Sequence, residues 1–264
     1  TVIKFIIILF IIITLITVIL AYFQEIQQKA DIVYKAITKR IDISKEIAEN
    51  EKLMGITDVK GEGITINILD GKDLIHQEDL IILIDELKNS GSQAISINDQ
   101  RIINSTYIYC DGSVILIDGV KIGNPFTIKA IGNSETIYGA LTRNKGYVET
   151  LEKAGIEIKI EKSDEIAIAK TNKNITSEYS LDSNKIERLY SSNKIVGKSS
   201  VIGEGLEIII EETESKLTAL SFLQIVNDLN SAGAKAISIN GQRITNMTDM
   251  MDISGTYILI NSNP

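Results

Sequence analysis

Cysteine, histidine, tryptophan and proline are nearly missing from this chain, and each scarcity removes a class of function. The single cysteine, Cys110, excludes an intramolecular disulfide and leaves a Cys-His nucleophile only His76 to draw on. That lone histidine also rules out a His-based metal cluster within one chain, so no metal and no cofactor is expected. Trp is absent and aromatics make up 5%, which leaves few platforms for stacking bases or sugars. Positive charge is in deficit as well. A formal net charge of −8 argues against nucleic acid as a partner, since phosphate binding needs clustered Lys and Arg.

What is present begins with a long apolar run. Residues 5–23 read FIIILFIIITLITVILAYF, broken only by Thr14 and Thr17. At about 1.5 Å per residue they span roughly 28 Å, close to a bilayer's hydrocarbon thickness. Residues 1–23 are therefore read as an uncleaved signal anchor; a cleaved signal peptide and a buried core helix are the alternatives. No Ala-x-Ala site follows, and a core helix would carry a polar face. Lys4 suits the inner interface and Tyr22 and Phe23 the outer, giving a cytoplasmic N-terminus and an extracytoplasmic body. The chain starts at Thr1, so a short leader is expected before it.

Residues 24–54 contain no Gly or Pro and repeat Ile26, Ala30, Val33, Ile37 and Ile41 at helical spacing. They read as a helical stalk with a coiled-coil stripe, favouring self-association, and Gly55 ends it.

The body is organised by a repeat. AISINDQR at 94–101 returns as AISINGQR at 236–243, and Ser96 and Ser238 lie 142 residues apart. Gly61-Glu62-Gly63 meets Gly203-Glu204-Gly205 at that same offset, which indicates a duplicated domain. In the first copy, residues 55–170, alternation at Ile64, Ile66 and Ile68 predicts a strand. Asp79 is expected to cap a helix over 80–89, and Asn98-Asp99 to turn a hairpin, as Asn240-Gly241 does in the second copy. Ser134 is expected to cap a helix over 135–142, and 156–160 and 166–169 to close the unit as two strands. An α+β fold related to the split β-α-β, ferredoxin-like plan fits this order. Residues 171–196 read as a polar inter-domain linker with a short helix near 186–190. The second copy, 197–264, lacks a counterpart of 126–169, so it is expected to be incomplete and the chain to be a fragment of a longer one.

Few residues suggest chemistry. Gly61-Glu62-Gly63 lacks the spacing of a phosphate-binding loop, and adjacent acids such as Glu211-Glu212 point apart along a strand. No catalytic residues are assigned. The best-marked polar group is Asn98, Gln100 and Arg101, echoed by Asn240, Gln242 and Arg243. It reads first as hairpin chemistry and second as a docking ridge, since Arg forks favour bidentate contacts.

The runs MGITDVKGEGITINILD, QEDLIILIDELKNSG, AISINDQRI, YCDGSVILIDGV and FTIKAIGN, behind an anchor and stalk, resemble the bacterial domain-of-unknown-function family 881, the YlxW-type membrane-anchored proteins. The resemblance covers 24–169 and returns, diverged, over 197–264. It implies an extracytoplasmic α+β domain on a single-pass anchor, with a genomic association to cell division and the envelope and no established catalytic residues. The leading expectation is a non-enzymatic, membrane-anchored scaffold of the bacterial cell envelope. It would partner the membrane, its own copies through the stalk, and other envelope or division proteins. An accessory of a secretion or pilus platform and a module binding wall fragments or small ligands are the alternatives.

Overall fold

The structure, a computed structural model, describes residues 2–70, 74–175, 184–211, 216–253 and 257–261. Thr1, Glu212 and residues 176–183 of the polar stretch, used above, lie outside them, as do Gly255, Asn263 and Pro264. The chain divides into two compact units, Thr1–Ile47 and Ala48–Pro264.

Helix α1 runs over Val2–Leu53 without interruption. No residue in it is Gly or Pro, so nothing breaks the i→i−4 ladder. Thr14 and Thr17 donate their hydroxyls to the carbonyls of Ile11 (2.9 Å) and Thr14 (2.8 Å), which removes the polar cost of placing Thr in an apolar stretch. Phe10, Leu15, Leu20 and Phe23 stand exposed, and the helix is long and apolar enough to cross a membrane. Further along, Ile26, Val33, Ile37 and Ile41 are exposed too, flanked by the i,i+4 pairs Glu25–Lys29 and Asp31–Lys35. Gly55, at φ +72°, closes the helix: its N–H donates to Lys52 O and that of Ile56 to Glu51 O.

The core of the second unit is a five-stranded antiparallel sheet ordered β3-β2-β7-β1-β8. Its strands are β1 (Val59–Leu69), β2 (Ala94–Ile97), β3 (Gln100–Ile102), β7 (Phe126–Ile131) and β8 (Glu157–Ile168). β1 and β2 both run antiparallel to β7, which lies between them. Helix α2 (Gln77–Asn89) connects β1 to β2, and Leu80, Leu83 and Leu87 are fully buried with Ile64, Ile66 and Ile68 of β1 in one core. A small meander of β4 (Ile108–Asp111), β5 (Val114–Ile117) and β6 (Val120–Ile122) forms a second sheet. Helices α3 (Ser134–Leu141) and α4 (Tyr147–Lys153) precede β8.

Three local expectations are corrected. Helix α2 starts at Gln77, with Asp79 as third residue accepting the His76 N–H at 2.7 Å, so Asp79 closes a box from inside rather than capping. Asn133, not Ser134, caps α3 through the Thr136 N–H (2.9 Å), while Ser134 donates both N–H and hydroxyl to Glu62. The two closing strands are one: β8 stays on β1 throughout, with a register shift between Gly61 and Gly63. A Cβ on Gly63 would sit 2.0 Å from Ala130 O, so only glycine lets β7 approach there.

In the second copy, α5 (Lys185–Ile195) occupies the stretch read as linker, and α6 (Ala219–Ser231) is the counterpart of α2. Two hairpins follow, β9–β10 (Ser238–Ile239, Gln242–Arg243) and β11–β12 (Met250–Ile253, Tyr257–Ile260). Residues 201–211, which the offset aligns with β1, form no strand and are exposed. In the first repeat β1 reaches β2 only through β7.

Candidate functional site at the seam of the two repeats

The six residues singled out by the sequence sit in two hairpins, one in each repeat, and the hydrogen bonds of each set go to its own repeat or to the helix that enters it. Asn98 and Asp99 both take positive φ (45° and 61°), as do Asn240 and Gly241 (47° and 80°). Asn98 donates to Gly123 O (2.8 Å) and Pro125 O (3.2 Å) and accepts the Thr127 N–H (2.7 Å), tying the turn to β7. Gln100 and Gln242 take equivalent ladder positions, opposite Ile97 and Ile239. Arg101 Nη2 donates to Lys52 O (3.0 Å), and Arg243 Nη2 makes the same bond to Lys194 O (3.1 Å). Each guanidinium thereby serves a last-turn carbonyl of the helix entering its repeat. Burial pushes the Arg101 pKa down, with Asp58 opposing. Arg101 Nε and Nη1 and Arg243 Nε have no hydrogen-bond partner among the described residues.

The densest polar chemistry lies where the repeats meet, and it is reciprocal. On α6, Asn227 (9% exposed) accepts the Ile108 N–H at 2.7 Å and returns a bond from Nδ2 to Ile108 O at 2.8 Å. On α2, Asp85 (8% exposed) accepts the Met250 N–H at 2.9 Å. Asp85 and Asn227 are counterparts at the offset of 142, as are Ile108 and Met250. Each repeat's helix thus holds the other's strand, as across a two-fold. One turn on, Asn230 donates to Asn104 O (2.9 Å) and Thr106 O (3.2 Å), and its counterpart is Lys88. Where α6 carries a neutral Asn-Asn pair, α2 carries an acid and a base.

Near this reciprocity, α1 and α5 meet at equivalent positions. Asn50, fully buried, donates to Ser192 Oγ (2.9 Å), its own counterpart, and to Asn193 Oδ1 (2.7 Å). Lys198 donates to Asn50 (2.9 Å), and Glu51 pairs with Arg188 at 2.6 Å. A cavity of about 50 Å³ lies here, lined by Leu53, Met54 and Asn104 and their counterparts Ile195, Val196 and Asn246 among others. It is far smaller than the roughly 300–1,000 Å³ of small-molecule sites.

Electrostatics single out one member of the seam. Burial pushes the Asp85 carboxyl up to about 7; the Met250 N–H and Lys88 oppose this, and Asp249 and Glu86 add to it. Burial likewise pulls Lys88 below the usual lysine value, against Asp85 and Asp249. An ionised Asp85 can only accept from Met250, whereas a protonated carboxyl presents the donor–acceptor pair that Asn227 presents to Ile108. Sequence reading passed over these residues. Their signal was a polar residue at the same position in two otherwise apolar helix faces, Asp85 after Leu83-Ile84 and Asn227 after Ile225-Val226.

Other candidates stay apart. His76 is exposed, the Cys110 N–H donates to Gln77 Oε1 (2.8 Å), and no cluster of metal-ligating side chains occurs among the described residues.

An α+β body whose two related halves clasp each other, behind a long apolar helix, is the class these features define. The chain belongs to the family of bacterial proteins of unknown function DUF881, whose model matches residues 46–180 and again 188–264. It is similar to the UPF0749 protein YlxW of Bacillus subtilis, 29% identical over 119 residues, 41% of this chain and 52% of the relative. YlxX of the same organism is 26% identical over 140 residues, 49% and 60% of the two chains. A third relative, the UPF0749 protein Rv1825 of Mycobacterium tuberculosis, is 26% identical over 120 residues, 44% and 41% of the two. The chain thus spans between two fifths and three fifths of these curated relatives. A crystal structure of an uncharacterized conserved protein from M. tuberculosis covers 48% of this chain and 93% of its own, at 25% identity and a TM-score of 0.46.

Proposed function

We propose that this protein is a non-enzymatic, membrane-anchored interaction protein of the bacterial cell envelope, with its body on the extracytoplasmic side. The observation that carries this reading is α1, whose side chains at Phe10, Leu15, Leu20 and Phe23 are exposed and would meet lipid. Beyond the apolar stretch, exposed Ile26, Val33, Ile37 and Ile41 keep helical spacing, which supports pairing of the stalk with a second copy. The best-defined polar groups are spent on internal bonds, which favours binding over catalysis. The genomic association that the family resemblance carries makes cell division the first process to test.

A second reading, an accessory of a secretion or pilus platform, draws on the sheet. The position of β7 between β1 and β2, which α2 connects, supports relating the body to the split β-α-β, ferredoxin-like domains of platform proteins that also carry an anchor and a coil. In-cell crosslinking of the membrane-anchored chain tests both. Reproducible crosslinks to division or wall-synthesis proteins are the expected result. Crosslinks to secretion-platform proteins would replace the first reading with the second, and a chain recovered only in soluble fractions would remove both.

A further inference from the structure

The two sides of the seam differ in charge, and the difference falls on counterpart residues. Where α6 has Asn227 and Asn230, α2 has Asp85 and Lys88; where the first repeat has Tyr107, the second has Asp249. Asn230 donates to Asn104 O and Thr106 O, beside Tyr107. Lys88 takes the equivalent place on the other side. It is half-buried, lines one small cavity with Asn246 and Met247, and feels the charge of Asp249. The base and the acid therefore meet only when α2 of a first repeat closes on the loop that leads into β11 of a second.

The approximate two-fold lets the other pairings be worked out. It passes between Asn50 and Ser192, counterparts that touch at 2.9 Å. Two first repeats from neighbouring chains, closed in the same way, would set Lys88 beside Tyr107. That place already holds a cation: Lys173 Nζ stands 5.2 Å from the Tyr107 ring centroid and pairs with Asp118 at 2.6 Å. Asp118 also accepts the Thr106 hydroxyl (3.2 Å) and the Tyr107 N–H (3.1 Å), so it has little left for a second lysine. Two second repeats would leave Asp249 opposite Asn230, with no base from α6. Each like pairing thus holds a charge at the seam without its opposite, which is the costly case.

We propose that Lys88 and Asp249 form a recognition pair that makes this seam selective for unlike repeats. The first repeat accepts a repeat with an acid at the Asp249 position, its own second repeat, and refuses the first repeat of a neighbouring chain. Such a pair adds little stability and still decides the partner. The choice matters where anchored copies share one membrane and meet at high local concentration. Bodies stay closed on themselves there, and the stalk is left as the route by which copies associate. The proposal rests on the interaction reading only for that meeting of copies. Its test is read on the purified chain, so the two fail separately.

The reporter is Asn50→Cys in a Cys110→Ser background, carried by the full chain in liposomes at pH 8. On the two-fold, a thiol at position 50 faces Ser192 in the unlike pairing and a second such thiol in the like pairing of first repeats. Oxidation with copper–phenanthroline therefore reports like pairs between chains, and little disulfide-linked dimer is expected with Lys88 and Asp249 intact. Lys88→Glu sets an acid against Asp249 and, in the like pairing, near Lys173. It should raise linked dimer on the order of tenfold and quicken amide exchange at Ile108 and Met250. Adding Asp249→Lys should return both readings to the starting level, which also shows that the chain still folds. Asn227→Ala opens the seam without touching the pair and should give far less dimer than Lys88→Glu. Dimer unchanged by Lys88→Glu, a gain that Asp249→Lys fails to reverse, or equal dimer from Asn227→Ala would each overturn the proposal.

Discussion

Replacing Asp85 by Asn should strengthen the seam at alkaline pH and weaken its pH dependence. The Asp85 carboxyl ordinarily titrates near 3.8 and is pushed to about 7 in the fold, chiefly by burial. The folded state therefore holds this proton more tightly than the unfolded one. Stability is full below pH 4, falls as pH rises from about 4 through 7, and levels off above. The rise of about three units corresponds, at 1.36 kcal/mol per unit, to at most about 4 kcal/mol lost by pH 8. Asn carries no such penalty and adds an Nδ2 donor toward Met250 O, copying the two-bond ring of Asn227 with Ile108. Lys88 then keeps only Asp249 of its two acidic neighbours, so Asp85→Asn with Lys88→Asn, which copies Asn227 and Asn230, should be the more stable pair at pH 8. Urea melts of the full chain in nanodiscs at pH 5, 6, 7 and 8 read the difference between wild type and Asp85→Asn, which cancels the titration of other groups. Amide exchange at Ile108 and Met250 reports whether the seam itself responds. The expected difference is about 2–4 kcal/mol in favour of Asn at pH 8 and shrinks toward pH 5. A difference independent of pH, or a variant less stable than wild type at pH 8, would refute the argument.

Asn227→Ala removes both seam bonds of α6 and leaves the N–H and C=O of Ile108 buried without partners; the cost should be about 2–4 kcal/mol in urea melts, with faster exchange at Ile108. Gly63→Ala should split β7 from β1, because its Cβ meets backbone rather than a movable side chain, whereas Gly205→Ala should leave the melting midpoint unchanged. Arg101→Ala with Arg243→Ala frees a last-turn carbonyl in each repeat and should cost about 1–3 kcal/mol, measured by denaturant melts. Unchanged stability in that variant would return the two arginines to a docking role.

Local chemistry made much of this fold legible in advance, and what it missed was set by distant residues. Asn98-Asp99 and Asn240-Gly241 announced their hairpins because few residue pairs tolerate two positive φ angles in succession. The alternation of Ile64, Ile66 and Ile68 announced β1, since a half-buried strand leaves no other pattern. Residues 201–211 carry a similar apolar pattern and fold as no strand, because a central strand exists only through its neighbours. Helix α5 was legible only as a short helix near 186–190, for the opposite reason: its sequence is polar, and its full length over Lys185–Ile195 is fixed by Asn50 and Glu51, more than 130 residues earlier. The seam was illegible because Asp85 and Asn227 look like ordinary interruptions of an apolar stripe until the strand each one holds is known.

The asymmetry of that seam bears on why two repeats in one chain can do what two identical subunits cannot. In a symmetric pair each helix carries the same residues, so both contacts titrate together or neither does. Here one contact, Asn227 with Ile108, is neutral and carries no titrating group, while the other, Asp85 with Met250, changes state near neutrality. Deprotonating Asp85 therefore loosens one side of the seam while the other stays tied, which favours a hinge over dissociation. The loosened side is Met250, which leads the β11–β12 hairpin. Met250 also shares a buried cluster with Ala219 of α6, against which Phe222, Val226 and Ile239 of β9 are packed. A weakened Asp85 contact would thus be felt in β11–β12, α6 and β9. Amide exchange at 238–239 and 250–253 should therefore quicken as pH rises from 6 to 8 in wild type and stay level in Asp85→Asn, and equal pH profiles for the two would refute the hinge.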